Sequence, residues 1–263
     1  MSLRSAAGAA RRGLLRSLHR RMVPLGDGGP FVSFAFDDFP RTAYTAGGSI
    51  LKSLGFRGTY YVAMGLMGTS NELGEQFRME DLRSLAAEGH EVGSHTFSHG
   101  SSRAASAAAF LEDVKKGDGA IHEMAKLTPS GNFAYPYGEV ALAAKRAVGG
   151  AMTSCRSIYG GVNGPFADLN LLSANSLYGG VDRLPAVREL VLENERRKGW
   201  LIFYTHDVRF NPSRYGCTPE LLQAAALVAG ERGARVLPVA GVLGSLPGAP
   251  ERRRESANRE VNA

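Results

Sequence analysis

Residues 31–40 read FVSFAFDDFP, an apolar run that stops at two adjacent carboxylates and a proline. A run of large apolar residues without clean polar alternation is typical of a strand that is buried on both faces, as in parallel sheets. The aspartate pair by itself is also explained by an ordinary helix N-cap, with Pro40 opening the next helix. The stretch therefore predicts a buried parallel strand and leaves the role of Asp37 and Asp38 open.

The rest of the chain alternates similar runs with helical patterns. Further strands are predicted at 57–63, 131–135, 151–154, 200–205 and 234–237. Stretches with helix-like spacing of Ala, Leu, Glu, Lys and Arg lie at 41–54, 78–88, 104–127, 139–148, 184–198 and 218–231. This alternation implies a parallel sheet, and a (β/α) barrel commonly needs about 250 residues. We therefore predict one α/β domain, in which residues 157–180, rich in Gly, Asn and Ser, form a long loop over the barrel mouth.

Residues 89–99 read GHEVGSHTFSH and place His95 and His99 four positions apart. Such a pair alone is often a solvated helix face or a buried pair with satisfied hydrogen bonds. Together with a carboxylate, however, two imidazoles form a donor set typical of catalytic zinc, which leaves one position open for water. The runs at 133–138 and 201–207 also end in polar or turn residues, so four strand ends are expected to converge.

The four segments resemble the motifs of the polysaccharide deacetylases with a NodB-homology domain, also called carbohydrate esterase family four. Residues 36–38 are similar to the family's Thr-Phe-Asp-Asp-Gly motif, and 95–99 fit its His-(Ser/Thr)-x-x-His motif. Residues 136–138 look like the third motif and 205–206 like the last, over 31 to about 240. The resemblance implies a distorted (β/α) barrel of the NodB-homology type in a single domain. It also implies a metal-dependent hydrolase that removes an N-acetyl group from a sugar of a polysaccharide, oligosaccharide or lipid-linked precursor.

The resemblance carries roles to individual residues. The implied ligands of a divalent metal, with Zn²⁺ favoured over other transition metals, are Asp38, His95 and His99. Asp37 would be the general base, and His206 would protonate the departing amine. The backbone N–H of Tyr137 would help to stabilise the oxyanion. A core histidine and an ordinary turn are the alternative interpretations of His206 and of residues 136–138.

Three positions depart from the family pattern. Ala35 and Phe39 replace the Thr and Gly of the first motif, so the ring at position 39 is expected to reshape the pocket mouth. Ala134 stands where the third motif usually carries the arginine that pairs with the catalytic aspartate. The candidates to replace that arginine are Arg156 and Arg183.

The family's Asp-Trp motif, which supports the acid histidine, is not recognisable either. The single tryptophan, Trp200, heads the run that leads to His206. Asp168 and Asp182 are the candidates for the supporting carboxylate.

Residues 210–219 follow His206 and are expected beside the same pocket. The residues that could contact the sugar are Asn211, Arg214 and Tyr215 from this stretch, with Pro136 and Tyr137 from the third motif. An exposed loop that leads into a helix start explains residues 210–219 without any substrate.

Basic charge is concentrated at the amino-terminal end. Residues 1–26 contain six arginines and no acid, which equals the whole formal excess of +6. Interleaved Leu and Met make this an amphipathic basic pattern that can lie on anionic lipid, and a disordered basic arm explains it equally well. We predict an arm at 1–28, the deacetylase domain at 29–248 and a disordered polar tail at 249–263. No nucleic-acid module is recognised, so nucleic acid is not expected as a partner.

The sequence also bears on the cellular compartment. Arginines interrupt each apolar run near the amino-terminal end, so no secretory signal is recognised, and no run reaches the roughly 18 apolar residues of a membrane span. Cys155 and Cys217 are then expected to be two reduced thiols. These features predict a cytoplasmic protein, with a peripheral place at the inner membrane face if the arm binds lipid.

Two other functions remain open at the level of sequence. A metal-assisted amidohydrolase acting on another small amide or formamide would explain the altered Ala35, Phe39 and Ala134. A degenerate domain that binds carbohydrate or lipid without turnover is the second, but a pure binder would not need both carboxylates, both ligand histidines and His206.

Overall fold

The computed structural model describes residues 12–247. The strands are β1 (Met22–Pro24), β2 (Phe31–Asp38), β3 (Thr59–Val62), β4 (Ser70–Asn71), β5 (Gly74–Glu75), β6 (Glu91–Ser94), β7 (Asn132–Ala134), β8 (Ser154–Arg156), β9 (Phe166–Asp168), β10 (Asn175–Ser176), β11 (Trp200–Thr205) and β12 (Arg235–Val236). The helices are α1 (Ser49–Ser53), α2 (Met79–Ala87), α3 (Ala107–Ala125), α4 (Leu142–Ala151), α5 (Leu184–Arg197), α6 (Pro219–Glu231) and α7 (Val239–Ser245). Residues 12–17 are also helical, and a π-helical stretch, Ala43–Gly48, precedes α1.

The main sheet is parallel and strongly curled. Its strand order is β10-β11-β2-β3-β6-β7-β8, and β12 pairs with the beginning of β2. A single parallel bridge joins Arg156 of β8 to Leu172, and β10, a few residues later, pairs with β11. The segment 172–176 therefore reaches from one edge of the sheet to the other. The prediction of a distorted, single-domain α/β barrel is confirmed.

Strand β2 is buried along all eight residues. Its side chains alternate between two apolar clusters: Phe34 and Phe36 pack with the helices, while Phe31 and Ala35 pack with Trp200 and other residues of the second cluster. Burial on both faces explains why the sequence shows no polar alternation here. This position in the sheet puts the two aspartates at the end of a rigid, fully covered strand.

Strand β6 was not recognised in the sequence because it begins with a glutamate and ends with a serine. Glu91 is nevertheless buried, and its carboxylate accepts hydrogen bonds from Thr59 Oγ1 (2.9 Å) and Asn132 Nδ2 (2.6 Å). The backbone N–H of Ala240 also donates to it, at 2.7 Å. A buried carboxylate with three donors is satisfied, so composition alone misleads at this strand. The strand expected at 151–154 is also displaced, to Ser154–Arg156.

Part of the segment assigned to a basic arm packs on the domain. The side chain of Leu15 is buried, and the ammonium group of Lys145 donates to the carbonyl oxygens of Leu15 and Leu18, both at 2.8 Å. Strand β1 then pairs antiparallel with β9. Residues 1–11 and the predicted tail, 249–263, lie outside the described residues. Within 12–247, no helix has both the length and the apolar character required to cross a bilayer.

Candidate functional site

The site lies where the parallel strands end. Strand β2 ends in Asp37 and Asp38, β8 ends in Arg156, and His95 and His206 directly follow β6 and β11. Neighbouring parallel strands present their carboxyl ends on one side of the sheet, which is where barrels carry their chemistry. Asp37, Asp38, His95 and His206 line a cavity of about 720 Å³, and buried Arg156 is paired with Asp37.

Asp38, His95 and His99 form a compact group of metal-type donors. One candidate ligand atom of each lies within 4.8 Å of the others. The Oδ1 atom of Asp38 is 2.9 Å from His99 Nε2 and 3.4 Å from His95 Nε2. The same Oδ1 is buried without a hydrogen bond of good geometry. A carboxylate oxygen and two imidazoles in this arrangement are donors that suit Zn²⁺ or a similar cation.

The outer nitrogens of both imidazoles have partners. His95 Nδ1 is 2.8 Å from the carbonyl oxygen of Ala134; a carbonyl can only accept, so Nδ1 is the donor in this contact and Nε2 is turned toward Asp38. His99 Nδ1 is 3.1 Å from the hydroxyl of Tyr137. Such outer contacts orient ligand histidines in metalloproteins and fix their tautomer. The three residues therefore fit a divalent metal.

The charge of Asp38 is set by the same contacts. Burial opposes its ionisation, but the hydrogen bonds and charges of His95 and His99 outweigh burial and hold the pKa of the carboxyl far below its usual value. The group is thus anionic at neutral pH, as a metal ligand must be.

Backbone strain is concentrated at the site. Among residues 12–247, eight residues other than glycine have positive φ, and five lie here: Asp38, Phe39, Thr96, His99 and Tyr137. Left-handed conformations cost non-glycine residues free energy and persist where the surroundings impose them, often at functional sites. At Asp38 (φ +62°) and Phe39 (φ +69°) the chain turns sharply after β2.

Phe39 does not reshape the pocket mouth, contrary to the expectation from sequence. Its ring is fully buried, stacked on Phe77 at 5.0 Å and tilted against Tyr60 at 5.1 Å. The positive φ at positions 38 and 39 directs this side chain into the apolar core. The cavity is lined by neither Phe39 nor Phe77.

Asp37 is paired with a buried arginine. The Nη2 atom of Arg156 lies 2.6 Å from both carboxylate oxygens of Asp37. The guanidinium also lies over the rings of Tyr61 (5.1 Å) and Tyr204 (4.9 Å). Burial disfavours its charge, but Asp37 raises the pKa of Arg156 above its usual value, so the guanidinium stays charged.

The position of this arginine follows from the sheet register. Ala134 of β7 is the register partner of Arg156 of β8, so the guanidinium reaches Asp37 from the strand beside the one that carries the third motif. The other candidate, Arg183, is exposed in a short turn and lines a neighbouring depression.

These findings agree with a comparison of the sequence with protein families. Residues 26–151 match the polysaccharide deacetylase family. The chain carries a polysaccharide deacetylase domain. The match includes the carboxylate pair, His95 and His99, whereas Arg156 and His206 lie beyond it. The family match indicates a hydrolase of amide or ester bonds and implies an N-acetylated saccharide as the substrate.

Solved structures share the fold of the deacetylase. The chitin deacetylase of the fungal pathogen Colletotrichum lindemuthianum is 19% identical, with a TM-score of 0.54 over 84% of this chain and 90% of that one. A family 4 acetyl xylan esterase from Clostridium thermocellum, solved with a cobalt ion, is also 19% identical, with a TM-score of 0.54 over 86% and 97%. A peptidoglycan N-acetylglucosamine deacetylase is 17% identical, with a TM-score of 0.51 over 81% and 90%. A search of curated proteins finds no significant match to the sequence.

His206 of the deacetylase has a neutral partner. Its Nδ1 atom lies 3.2 Å from the carbonyl oxygen of Tyr215. Neither candidate carboxylate is beside it: Asp168 pairs with Lys145 Nζ at 2.7 Å, and Asp182 lies in an exposed turn. The carboxylate expected behind the acid histidine is thus replaced by a backbone carbonyl.

The cavity walls include only some of the residues predicted to contact sugar. Tyr137, Arg214 and Tyr215 line the cavity. Pro136 is buried within its turn and Asn211 lies on the exposed surface of its loop, and neither lines the cavity.

Other wall residues were not predicted from the sequence to line the site, although Ser98 and Gly138 lie within recognised motifs. They are Leu66, Asn71, Glu72, Leu73, Ser98, Gly138, Ile158, Tyr178 and Tyr204. Several come from the hairpin of β4 and β5, whose two-residue strands are too short to produce a period. Ile158 and Tyr178 come from residues 157–180, which the sequence predicts only as a long loop over the barrel mouth.

Proposed function

We propose that this chain is a metal-dependent deacetylase that hydrolyses the N-acetyl group of a sugar in a polysaccharide, an oligosaccharide or a lipid-linked precursor. The observation that carries the proposal is that Asp37, held by buried Arg156, lines one cavity with the Asp38, His95 and His99 group. A precursor would be met in the cytoplasm, where two unpaired, buried thiols such as Cys155 and Cys217 stay reduced.

Asp38, His95 and His99 would hold the metal, with Zn²⁺ favoured by the mixed oxygen and nitrogen donors. When bound there, a divalent cation supplies Lewis-acid chemistry to water and to the acyl carbonyl. The contacts of His95 with the Ala134 carbonyl and of His99 with the Tyr137 hydroxyl keep both Nε2 atoms turned toward the site.

Asp37 is the proposed general base. Its pairing with Arg156 fixes the orientation of the carboxylate, because the guanidinium is itself confined between two tyrosine rings. Asp37 takes a proton from the attacking water as the water oxygen bonds to the acetamide carbon.

Collapse of the tetrahedral species needs stabilisation of negative charge and a proton for nitrogen. The backbone N–H of Tyr137, in the strained turn at the cavity wall, is the proposed donor to the oxyanion. His206 is the proposed acid: its Nδ1 is held by the Tyr215 carbonyl, and its Nε2 delivers the proton to the amine as the C–N bond breaks. The products are acetate and the free amino sugar.

The test is release of acetate from N-acetylglucosamine oligomers and from lipid-linked sugar extracts by the Zn²⁺-loaded protein. The parent chain is compared with Asp37→Asn and His95→Ala, and with exposed His122→Ala as a matched histidine control. Acetate from the parent and the control alone supports the proposal. Release of formate from a formamide substrate instead would favour the other amidohydrolase, and tight metal and sugar binding without any acyl release would favour a binding role.

A further inference from the structure

An apolar group is exposed beside the amino-terminal segment. Leu14 is 49% exposed, Leu18 40%, Met22 38% and Phe166 57%. Leu14 lies in the helical residues 12–17, Leu18 directly follows them and Met22 begins β1. Leu15 is the buried side chain of this segment, whereas Leu14 and Leu18 are exposed. We name these four residues the amino-terminal face.

The amino-terminal face is held firmly on the domain. The ammonium group of Lys145 donates hydrogen bonds to the carbonyl oxygens of Leu15 and Leu18. The backbone N–H of Arg21 donates to Asp168 Oδ1 at 2.9 Å, and its guanidinium donates to the carbonyl of Met152 at 3.0 Å. Pairing of β1 with β9 brings the Met22 and Phe166 strands together. The four apolar side chains are therefore exposed even though their backbone is held on the domain.

Three arginines border the face. Arg12, Arg16 and Arg20 are exposed, and within residues 12–247 none of them forms an ion pair. Arg16 and Arg20 line one shallow depression together with Met22, Phe166 and Asp168. The carboxylate of Asp168 is already paired with Lys145 and with the backbone N–H of Arg21. Apolar side chains and cations on one face fit an interface whose interior is apolar and whose surface is anionic.

The face adjoins the catalytic cavity through three consecutive residues. Arg16 Nη2 donates to the carbonyl of Gly160 at 3.3 Å, and its guanidinium lies 6.0 Å from the Tyr159 ring. Ile158, two residues before Gly160, lines the cavity. Two residues of extended chain span about 7 Å. A surface bound at the face would therefore lie close to one wall of the site.

We propose that the amino-terminal face binds the surface of an anionic lipid bilayer and so holds the cavity beside sugars that are anchored in lipid. Leu14, Leu18, Met22 and Phe166 enter the boundary between headgroups and acyl chains, and the three arginines contact lipid phosphates. Binding to the bilayer stands on this face alone, whereas the presentation of a lipid-anchored sugar rests on the proposed deacetylase function.

The test is co-sedimentation of the full chain with vesicles of phosphatidylcholine, with and without about one third phosphatidylglycerol. The proposal expects binding that needs phosphatidylglycerol and falls at least about tenfold in Arg12→Gln/Arg16→Gln/Arg20→Gln, since each cation near a membrane contributes about 1 kcal/mol. Leu14→Ser/Leu18→Ser, which keeps the charge, is expected to weaken binding as well. The matched controls, Arg83→Gln/Arg188→Gln/Arg196→Gln and Leu227→Ser, change exposed residues elsewhere and should bind like the parent.

The proposal would be overturned if the leucine variant bound vesicles as well as the parent does, or if the arginine variant bound as well as its charge controls do. Self-association of the chain without vesicles, abolished in the leucine variant, would also overturn it. Binding of soluble dextran sulfate without binding to vesicles would overturn it too and would identify a polyanion site. Circular dichroism of each variant checks the fold. Because binding is measured without substrate, its failure is separate from failure of acetate release.

Discussion

Arg156 and Asp37 are 119 positions apart in sequence, and the Nη2 atom of the arginine lies 2.6 Å from both oxygens of the aspartate. The guanidinium reaches the carboxylate from β8, beside the small side chain of Ala134 on β7. The two strands are register partners at this point, so an arginine on either can project from the same side of the sheet. The charge partner of the proposed base is thus retained at a different position of the chain.

We predict that Arg156→Gln lowers kcat by a factor of about 10² to 10³, the size of effect found when one preorganised polar contact of an active site is removed, because Asp37 loses its orientation. Acetate release under saturating metal measures this. Exposed Arg183→Gln is the matched control and should retain full activity. In Ala134→Arg/Arg156→Ala we expect partial recovery relative to Arg156→Ala, and activity of Arg156→Gln close to the parent would contradict the assigned pairing.

We predict that His95→Ala removes high-affinity Zn²⁺ binding, because it takes away one of three ligands and leaves the Asp38 carboxylate with one imidazole. Titration calorimetry of the metal-free protein gives the stoichiometry and affinity. One site is expected in the parent and in His122→Ala, a change of an exposed histidine on α3. Retention of one tight site by His95→Ala would place the metal elsewhere.

Asp207 should act as a positioning residue for His206. Its buried carboxylate accepts from the backbone N–H of Ser213 at 2.8 Å and pairs with Arg209 Nε at 2.7 Å, which shapes the loop whose Tyr215 carbonyl holds the histidine. We expect Asp207→Asn to lower the free energy of unfolding by about 1–3 kcal/mol.

The same variant should lower kcat more than it raises KM, because the histidine rather than the sugar contacts loses its support. Urea unfolding and steady-state kinetics separate the two effects. The exposed carboxylate variant Asp182→Asn is the control. An unchanged kcat together with the expected loss of stability would make Asp207 purely structural.

A pH-dependent contribution to stability is expected from His90. Its Nδ1 accepts the backbone N–H of Gly58 at 3.0 Å, and burial, followed by the charge of Arg57, lowers the pKa of His90 to about 4. Lys52 acts in the same direction, and Glu88 opposes it. The folded protein keeps the imidazole neutral, whereas the unfolded chain takes up a proton near pH 6.5.

The stabilisation is therefore complete above about pH 6.5 and is lost as the pH falls toward about 4. We expect His90→Gln, whose side-chain oxygen can still accept from Gly58, to lose about 2 kcal/mol less than the parent across this interval. Urea unfolding at both ends of the interval, with exposed His122→Gln as control, measures the difference. Equal losses in the parent and His90→Gln would assign the acid sensitivity to other groups.

Local patterns were sufficient for the architecture and for much of the site. An apolar run of strand length that ends in Asp37 and Asp38 can only be covered on both faces in a parallel sheet with helices. Once the strands are parallel, their carboxyl ends share one side, so the aspartates, His95, His99 and His206 were predictable as neighbours. No such rule predicts whether the ring of Phe39 faces the pocket or the core, because this depends on the sign of φ at positions 38 and 39.

What the sequence by itself determined is the alternation of most of the long strands with helices and the identity of the donors at the strand ends, since these depend on residues that are close together in the chain. Tertiary structure alone decided that Arg156 rather than Arg183 pairs with Asp37, that a carbonyl of Tyr215 supports His206, and that Leu15 rather than Leu14 is buried. Each of these depends on the register and packing of segments that are distant in sequence. Local patterns carry no information about which side chain those segments bring into contact and bury.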